Sequence, residues 1–411
     1  MKIAIIGTGI SGLTVAHRLC GHHELKIFES NHYIGGHTNT IDVDFDGEKH
    51  AIDTGFIVFN ERNYPHFVKL LLELNISTQS TSMSFGFRCD ETGLEYNGTN
   101  LNGLFAQRRN LLNWRFFRLI KDFQRFNREM VRFPLNESVT VEQFFTDNPY
   151  SREFRDQYFL PMGSAIWSCH RRRLLQFPMR LIIDFYRNHG LLSLYGQPEW
   201  KVICGGSRTY VEAITKRFAH KITINRPVVG VIRKPDKVSL SFNDGSSEDF
   251  EHVIFACHSD QALALLGGQA TKLEKDLLSA VPYQKNTAIL HTDHSILPRS
   301  RRAWASWNYL RPVLEEDQVL VTYNMNILQN LNSKHVYCVT LNGESRIAPS
   351  AIIRRMNYHH PVFTSDRRNA AKDQQALLGR NHSSFCGAYW GYGFHEDGVK
   401  SALTVSDALM N

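Results

Sequence analysis

The stretch "MKIAIIGTGISGLTVAHRL" at the start of the chain constrains its fold more than any other. Lys2–Ile6 is apolar and rich in β-branched residues after its lysine, the mark of a short buried strand. Gly7, Gly9 and Gly12 follow as G-x-G-x-x-G, and Ile10, Leu13, Ala16, His17 and Cys20 then recur at helical steps of three or four. Gly7 allows the tight turn, Gly9 lets the backbone approach a phosphate, and Gly12 lets the helix pack closely on the strand. Ile10 and Ser11 begin that helix, whose first N–H groups and positive dipole end attract an anion. A second strand, "LKIFES", ends in Glu29 and Ser30, with Glu29 twenty residues after Gly9. A carboxylate there accepts hydrogen bonds from ribose hydroxyls and repels a 2′-phosphate. The unit predicts an α/β fold with a Rossmann-like dinucleotide site that disfavours NADP. These residues by themselves leave FAD and NAD both open.

A chain of 411 residues, 42% hydrophobic and 21% charged, is expected to fold into two or three globular domains. Its 47 basic and 40 acidic residues leave a net +7, which permits attraction to nucleic acid or anionic lipid without requiring either. Nothing else in the chain favours nucleic acid. The cysteines at 20, 89, 169, 204, 257, 338 and 386 are scattered and never form C-x-x-C. That excludes a disulfide framework or zinc ribbon and points to the reducing cytoplasm. The apolar start breaks at a glycine turn without a cleavage site, so a strand is expected there and not a leader. No run of about 18 apolar residues offers a membrane span. His22-His23 and His359-His360 are adjacent pairs, which do not share a face, so no metal centre is expected.

Further along, "NHYIGGHTNT" carries Gly35, Gly36 and His37, and "IDVDFDGEKHAIDTGFIVFN" is patterned as a hairpin about Asp46-Gly47. From Tyr64 to about Pro198 the pattern is mainly helical, with residues 104–133 expected as one helix. Its apolar ridge is Phe116, Ile120, Phe123, Phe126, Met130 and Phe133; its basic ridge is Arg118, Lys121, Arg125, Arg128 and Arg132. Such a helix is either core-packed with a solvated face or docked on anionic headgroups at the membrane surface. "KVICGGSRTYVEAITKRF" gives a glycine turn and an amphipathic helix, and strands flank an Asn243-Asp244-Gly245 turn. Residues 281–365 return to strands. "FCGAYWGYGFHEDGVKSALTVSDALM" closes the chain as a strand, a glycine-rich loop and a helix expected from Gly398 with Asp397 as its cap. With no repeat or long linker, the domains are expected to interleave. Residues 1–60, 200–280 and 380–411 would bind the cofactor; 61–199 and 281–379 would bind substrate, with a helical portion around 104–200.

These residues in this order resemble the flavin-containing amine oxidase superfamily. The likeness rests on the fingerprint with Glu29, the Gly35-Gly36 pair, "DTG" at Asp53–Gly55, Gly205-Gly206, the strand from Pro227 to Val231, "HVIFAC" and "CGAYWGYGFHEDG". It covers the whole chain and implies that the dinucleotide is FAD. It implies cofactor contacts from Gly7, Gly9, Ile10, Ser11, Gly12, Glu29, Ser30, Gly35, Gly36 and His37. Thr54, Gly55, Phe56, Val228 and Val229 would add to these, as would Gly387, Gly393, Phe394, His395, Glu396, Asp397, Gly398 and Val399. Ala388 stands where the family usually has an acidic residue, and no paired aromatic cage for an amine is found.

Within the superfamily, "AWASWNY", "YNMNILQNL", "HHPVF" and "GFHEDG" look like a bacterial branch similar to the flavin-dependent desaturase of furan fatty acid synthesis. The implied chemistry is hydride transfer from a substrate C–H to flavin N5, with His395 as candidate base. Lys285 lies roughly where amine oxidases keep a lysine beside the flavin; a solvated lysine is the plainer alternative. Phe85, Phe87, Phe159, Trp167, Trp304, Trp307 and Tyr309 would line an apolar tunnel or simply fill the core. The substrate expected is a methyl-branched, phospholipid-bound acyl chain. A small amine oxidised with O2, and a non-enzymatic FAD-binding role, are the alternatives.

Overall fold

The computed structural model describes residues 1–131, 139–192, 198–313, 319–362 and 370–410. Arg132 and Phe133, assigned above to the two ridges, lie outside the described residues.

The opening strand Lys2–Ile6 sits at the centre of a five-stranded sheet. Across it the strands run Ile222–Thr223, Glu24–Phe28, Lys2–Ile6, His252–Phe255 and Ser383–Phe385, all parallel. A parallel strand buried on both faces is apolar throughout, which is why "IAII" shows no alternation. On one face the helices Ile10–Leu19 and His395–Met410 pack over Ile3, Ile5 and Ile254. On the other, Ala4, Phe28 and Phe255 meet an antiparallel sheet of Val228–Arg233, Val238–Phe242 and Ser247–Phe250. Leu13, Ile5 and Val405 are completely buried, and removing one such side chain costs roughly 2–5 kcal/mol.

A seven-stranded sheet forms the second layer, in the order Ile352–Pro361, Tyr283–His291, Cys338–Leu341, Val321–Asn324, Trp307–Arg311, Phe85–Cys89 and Glu95–Asn97. Its pairs are antiparallel except Trp307–Arg311 with Phe85–Cys89. A helical layer, Trp114–Met130 to Met179–Asn188, packs around Phe126, Phe159, Trp167 and Ile182. The hairpin Thr40–Phe45 with Glu48–Asp53 turns at Asp46 and Gly47, both at positive φ as a tight hairpin turn needs. No helix among the described residues is long and apolar enough to cross a membrane.

Three expectations change. The segment after Tyr64 is not mainly helical throughout: Thr78–Thr81, Phe85–Cys89 and Glu95–Asn97 are strands, short elements held by long-range pairing that local pattern does not reveal. The helix expected over 104–133 breaks into Leu101–Leu104, a 3-10 turn Arg108–Leu112 and Trp114–Met130. The break falls at Asn113, whose side chain accepts the Arg115 N–H and starts the last piece. The final helix begins at His395, three residues ahead of Gly398. The aromatics proposed for a tunnel also divide. Phe159 and Trp167 belong to the helical core, and Phe87 and Tyr309 to a cluster between the helical layer and the seven-stranded sheet. Trp304 borders a surface pocket with His294 and Arg301.

Candidate functional site: a glycine-lined cradle between two helix starts

Gly7 turns the chain at φ +105, where its N–H donates to the Phe28 carbonyl. A Cβ on Gly12 would lie 2.1 Å from the Gly7 carbonyl oxygen, so only glycine allows this crossing of helix on strand. Gly9 differs: no protein atom lies within 4 Å of where its Cβ would be. No side chain caps the helix that follows. The open space above Gly9 and the uncapped amides of the first turn fit an anionic group.

A second helix start meets the first. A Cβ on Gly398 would fall 2.7 Å from Ile10 Cγ2 and 3.0 Å from Ser11 Oγ, so the first turns of the two helices touch through that glycine. Val399 is buried beneath them. Two positive dipole ends therefore lie side by side, suited to a cofactor that carries a pyrophosphate and a ring that takes up negative charge on reduction.

Glu29 is buried at the edge of this cradle. Its Oε2 accepts Thr8 N–H at 3.0 Å and Thr8 Oγ1–H at 2.6 Å; its Oε1 accepts Asn31 N–H at 2.9 Å and Asn31 Nδ2–H at 3.0 Å. Ser30 Oγ lies 3.3 Å from Oε1. A ribose hydroxyl reaching Glu29 would share it with these donors. Arg226 N–H donates to the Glu29 carbonyl, which brings the strand carrying Val228 and the exposed Val229 alongside.

The glycine pairs are tied together by Asp53, whose role the sequence did not suggest. Its carboxylate accepts Ser207 N–H at 2.9 Å, Ser207 Oγ–H at 2.7 Å and Thr40 Oγ1–H at 2.6 Å. The Asp53 backbone N–H goes to Gln329 Oε1. Burial raises the Asp53 carboxyl to about 6 against these hydrogen bonds. Gly35 N–H donates to the Thr8 carbonyl, Phe56 N–H to the His37 carbonyl, and a Cβ on Gly55 would sit 2.1 Å from that same oxygen. Thr54 Oγ1 meets Tyr358 Oη at 2.9 Å, and a Cβ on Gly36 would lie 3.1 Å from Gly9 Cα. The "GGH", "DTG" and "GGS" segments thus form one hydrogen-bonded floor.

"HED" divides its labour. His395 Nε2 lies 3.0 Å from Thr38 Oγ1 and 3.2 Å from Tyr210 Oη, and the ring stacks on Phe56 at 3.5 Å. Burial holds this imidazole well below its ordinary pKa. The neighbouring His37 lowers it further, so His395 adjoins the group of imidazoles that His37 forms with His258 and His360. Glu396 accepts the His66 and Phe67 N–H groups at 3.1 and 3.0 Å, capping the helix Pro65–Glu73. Asp397, expected as an N-cap, lies inside the helix and turns back to accept Tyr392 and Phe394 N–H. Those bonds explain the early helix start. Gly387 N–H donates to Ser401 Oγ, Gly393 sits at φ +88, and Phe394 stacks on Phe185 at 5.3 Å.

Lys285 is exposed; strand alternation points its buried neighbour Asn286 inward instead. Asn286 Nδ2 donates to His360 Nδ1 at 2.8 Å and to the Ser168 carbonyl at 3.2 Å, and Asn342 Nδ2 donates to Asn286 Oδ1. His37 lies 5.5 Å from His360 and 5.9 Å from His258, and stacks on Tyr358 at 5.1 Å. Burial first, then the neighbouring imidazoles, lowers His37 and His360 to about 3 and His258 to about 4. All three are neutral at pH 7. The signal for His360 was present in strand alternation, which sends one member of the His359-His360 pair inward.

The family model for flavin containing amine oxidoreductase matches residues 10–294 of the chain. No curated protein sequence matches it. Solved structures do. A conjugated-linoleic-acid (CLA)-producing fatty acid isomerase from P. acnes superposes with a TM-score of 0.69 at 14% identity, over 99% of this chain and 97% of that one. Cyclohexylamine oxidase from Brevibacterium oxydans IH-35A gives 0.67 at 14%, over 100% and 99%. Putrescine oxidase bound to putrescine gives 0.68 at 13%, over 100% and 99%.

Proposed function

The chain belongs to the flavin-containing amine oxidoreductase family and is an FAD-dependent oxidoreductase, and we propose that within this family it dehydrogenates a long acyl chain. One observation carries this reading: among the described residues, every buried Asp and Glu is already committed, and the partly buried Glu153 faces Arg118 at 3.6 Å. Glu29 holds Thr8 and Asn31, Asp53 holds Ser207, and Glu95 accepts Arg299 and Ser300 N–H. Asp122 accepts Ser151 N–H, Asp156 pairs with Arg155, and Glu274 pairs with Arg233. The cluster of Asn286, His360 and His37 carries neutral groups alone, so it offers an ammonium group no anion. The fatty acid isomerase neighbour supports the idea that this fold can hold an aliphatic chain.

Bound FAD supplies a two-electron acceptor. Forming a carbon–carbon double bond removes two electrons and two hydrogens from adjacent carbons, and the protein must take the proton. We assign that task to the imidazole cluster of His37, His258 and His360, which His395 adjoins through His37. The partly buried Phe394, stacked on the core residue Phe185, gives an apolar edge where the helical layer meets the loop before the last helix.

The test is anaerobic mixing of the holoprotein with vesicles carrying methyl-branched acyl chains. Bleaching of the flavin and a new double bond in the recovered lipid are expected. Rapid bleaching by a simple monoamine, with none by lipid, would assign the chain to amine oxidation instead.

A further inference from the structure

Leu112 is 93% exposed, Leu101 75%, Trp114 63%, Leu111 50% and Phe117 45%. These are five of the fourteen large hydrophobic side chains exposed among the described residues, and they fall within seventeen consecutive positions. The cause is local. The 3-10 turn Arg108–Leu112 buries Asn110 and turns Leu111 and Leu112 outward, and Asn113 then starts a new helix with Trp114 and Phe117 on its outer side. A polar residue faces the protein while leucines face water, the reverse of ordinary patterning. Phe117 and Phe105 lie 5.9 Å apart, and Arg108 binds both the Phe105 carbonyl and Asn102, which ties the turn to the short helix Leu101–Leu104.

Cations surround these exposed side chains. Residues 101–121 contain no Asp or Glu but include Arg108, Arg109, Arg115, Arg118 and Lys121, all exposed. The guanidinium groups of Arg115 and Arg118 lie 5.6 and 4.8 Å from the Trp114 ring, which holds positive charge at the level of the indole. Glu153 approaches Arg118 at 3.6 Å from outside the segment. Farther along the helix the charge is compensated, with Arg125 on Glu129 at 2.8 Å and on the Pro149 carbonyl. The unbalanced charge therefore sits at the start of the helix, beside the exposed apolar residues, and not along the whole basic ridge.

We propose that this face docks the protein on an anionic phospholipid bilayer. Leucine, phenylalanine and tryptophan side chains would enter the boundary between headgroups and acyl chains, with the arginines on the phosphates. A second copy of the chain fits worse, because a two-fold contact would bring five cations against the same five with no acid in the segment to answer them. The helix behind the patch buries Phe116 against Phe105 and Tyr96, and so rests directly on the substrate-side sheet. Docking stands independently of the reaction proposed above.

The experiment is flotation of the FAD-loaded protein with phosphatidylcholine vesicles and with vesicles half phosphatidylglycerol. Binding to the anionic vesicles is expected, with an apparent affinity about tenfold or more above that for neutral ones and falling as salt is added. The double variant Leu112→Ser/Trp114→Ser and the double variant Arg108→Glu/Arg109→Glu should each weaken it about tenfold or more while retaining flavin colour. Absence of binding to anionic vesicles, or binding that neither variant weakens, would overturn the proposal. So would a concentration-dependent dimer in sedimentation that Leu112→Ser/Trp114→Ser abolishes, which would give the face to a second copy. No turnover is measured, so failure here leaves the acyl-chain reading to its own test.

Discussion

Asn286 donates its side-chain amide to Nδ1 of His360 across 2.8 Å. Its second amide hydrogen goes to the Ser168 carbonyl, and its Oδ1 accepts from Asn342, so the orientation of the amide is fixed. His360 must then carry its proton on Nε2. Asn286→Asp replaces that donor with an anion beside the imidazole, and an anion stabilises imidazolium. The His360 pKa should rise by roughly a unit or more above its value of about 3. The pH dependence of flavin reduction checks this: its acid limb should move to higher pH, and an unmoved limb would remove His360 from the proton path.

The glycines separate two kinds of failure. Gly9→Val adds a side chain where no protein atom lies within 4 Å, so the product should fold and elute normally but lack flavin absorbance. Gly12→Val forces a Cβ to within 2.1 Å of the Gly7 carbonyl oxygen and should instead fail to fold. A folded, yellow Gly9→Val would show that the cradle is not where the cofactor binds.

The parts of this site that local sequence could disclose were strand, turn and helix start: "IAII" before Gly7, the Asp46-Gly47 hairpin, and Glu29 at a strand end. What could not be read were bonds between distant segments. Asp53 and Ser207 are 154 positions apart, and Glu396 caps a helix that begins 331 positions earlier at Pro65. "HED" shows the limit of motif reading, because three titratable residues in a row serve hydrogen bonding in three directions. Lys285 and Asn286 show another. Their strand could be expected, but which of the two faces inward depends on register with Ile352–Pro361.

Glu396 tests that capping role. Glu396→Ala leaves the His66 and Phe67 N–H groups without their carboxylate and should cost roughly 0.5–2 kcal/mol. Urea denaturation should show the loss while bound FAD per folded molecule stays unchanged. Loss of flavin with no change in stability would move Glu396 from the scaffold to the cofactor.

Buried histidines away from the cradle add to the acid response of those within it. His252 contacts Ser384 Oγ at 3.0 Å, and His291 contacts Thr340 Oγ1 at 2.7 Å; burial lowers each to about 4 from 6.5. Between those values the unfolded chain binds a proton that the folded one refuses, so stability must fall as pH drops from 6.5 toward 4. Each group accounts for roughly 3 kcal/mol over that window, taken at 1.4 kcal/mol per pKa unit. Asp53 acts oppositely: its carboxyl, raised to about 6, takes up a proton in the folded state first and offsets part of the loss between pH 6 and 4. His291→Gln keeps an amide able to reach Thr340 but does not titrate. Its melting temperature should therefore lie below the parent's at pH 7.5 and approach or pass it at pH 5. Parallel melting curves for the two proteins across that range would show that His291 stays equally protonated in the folded and unfolded states.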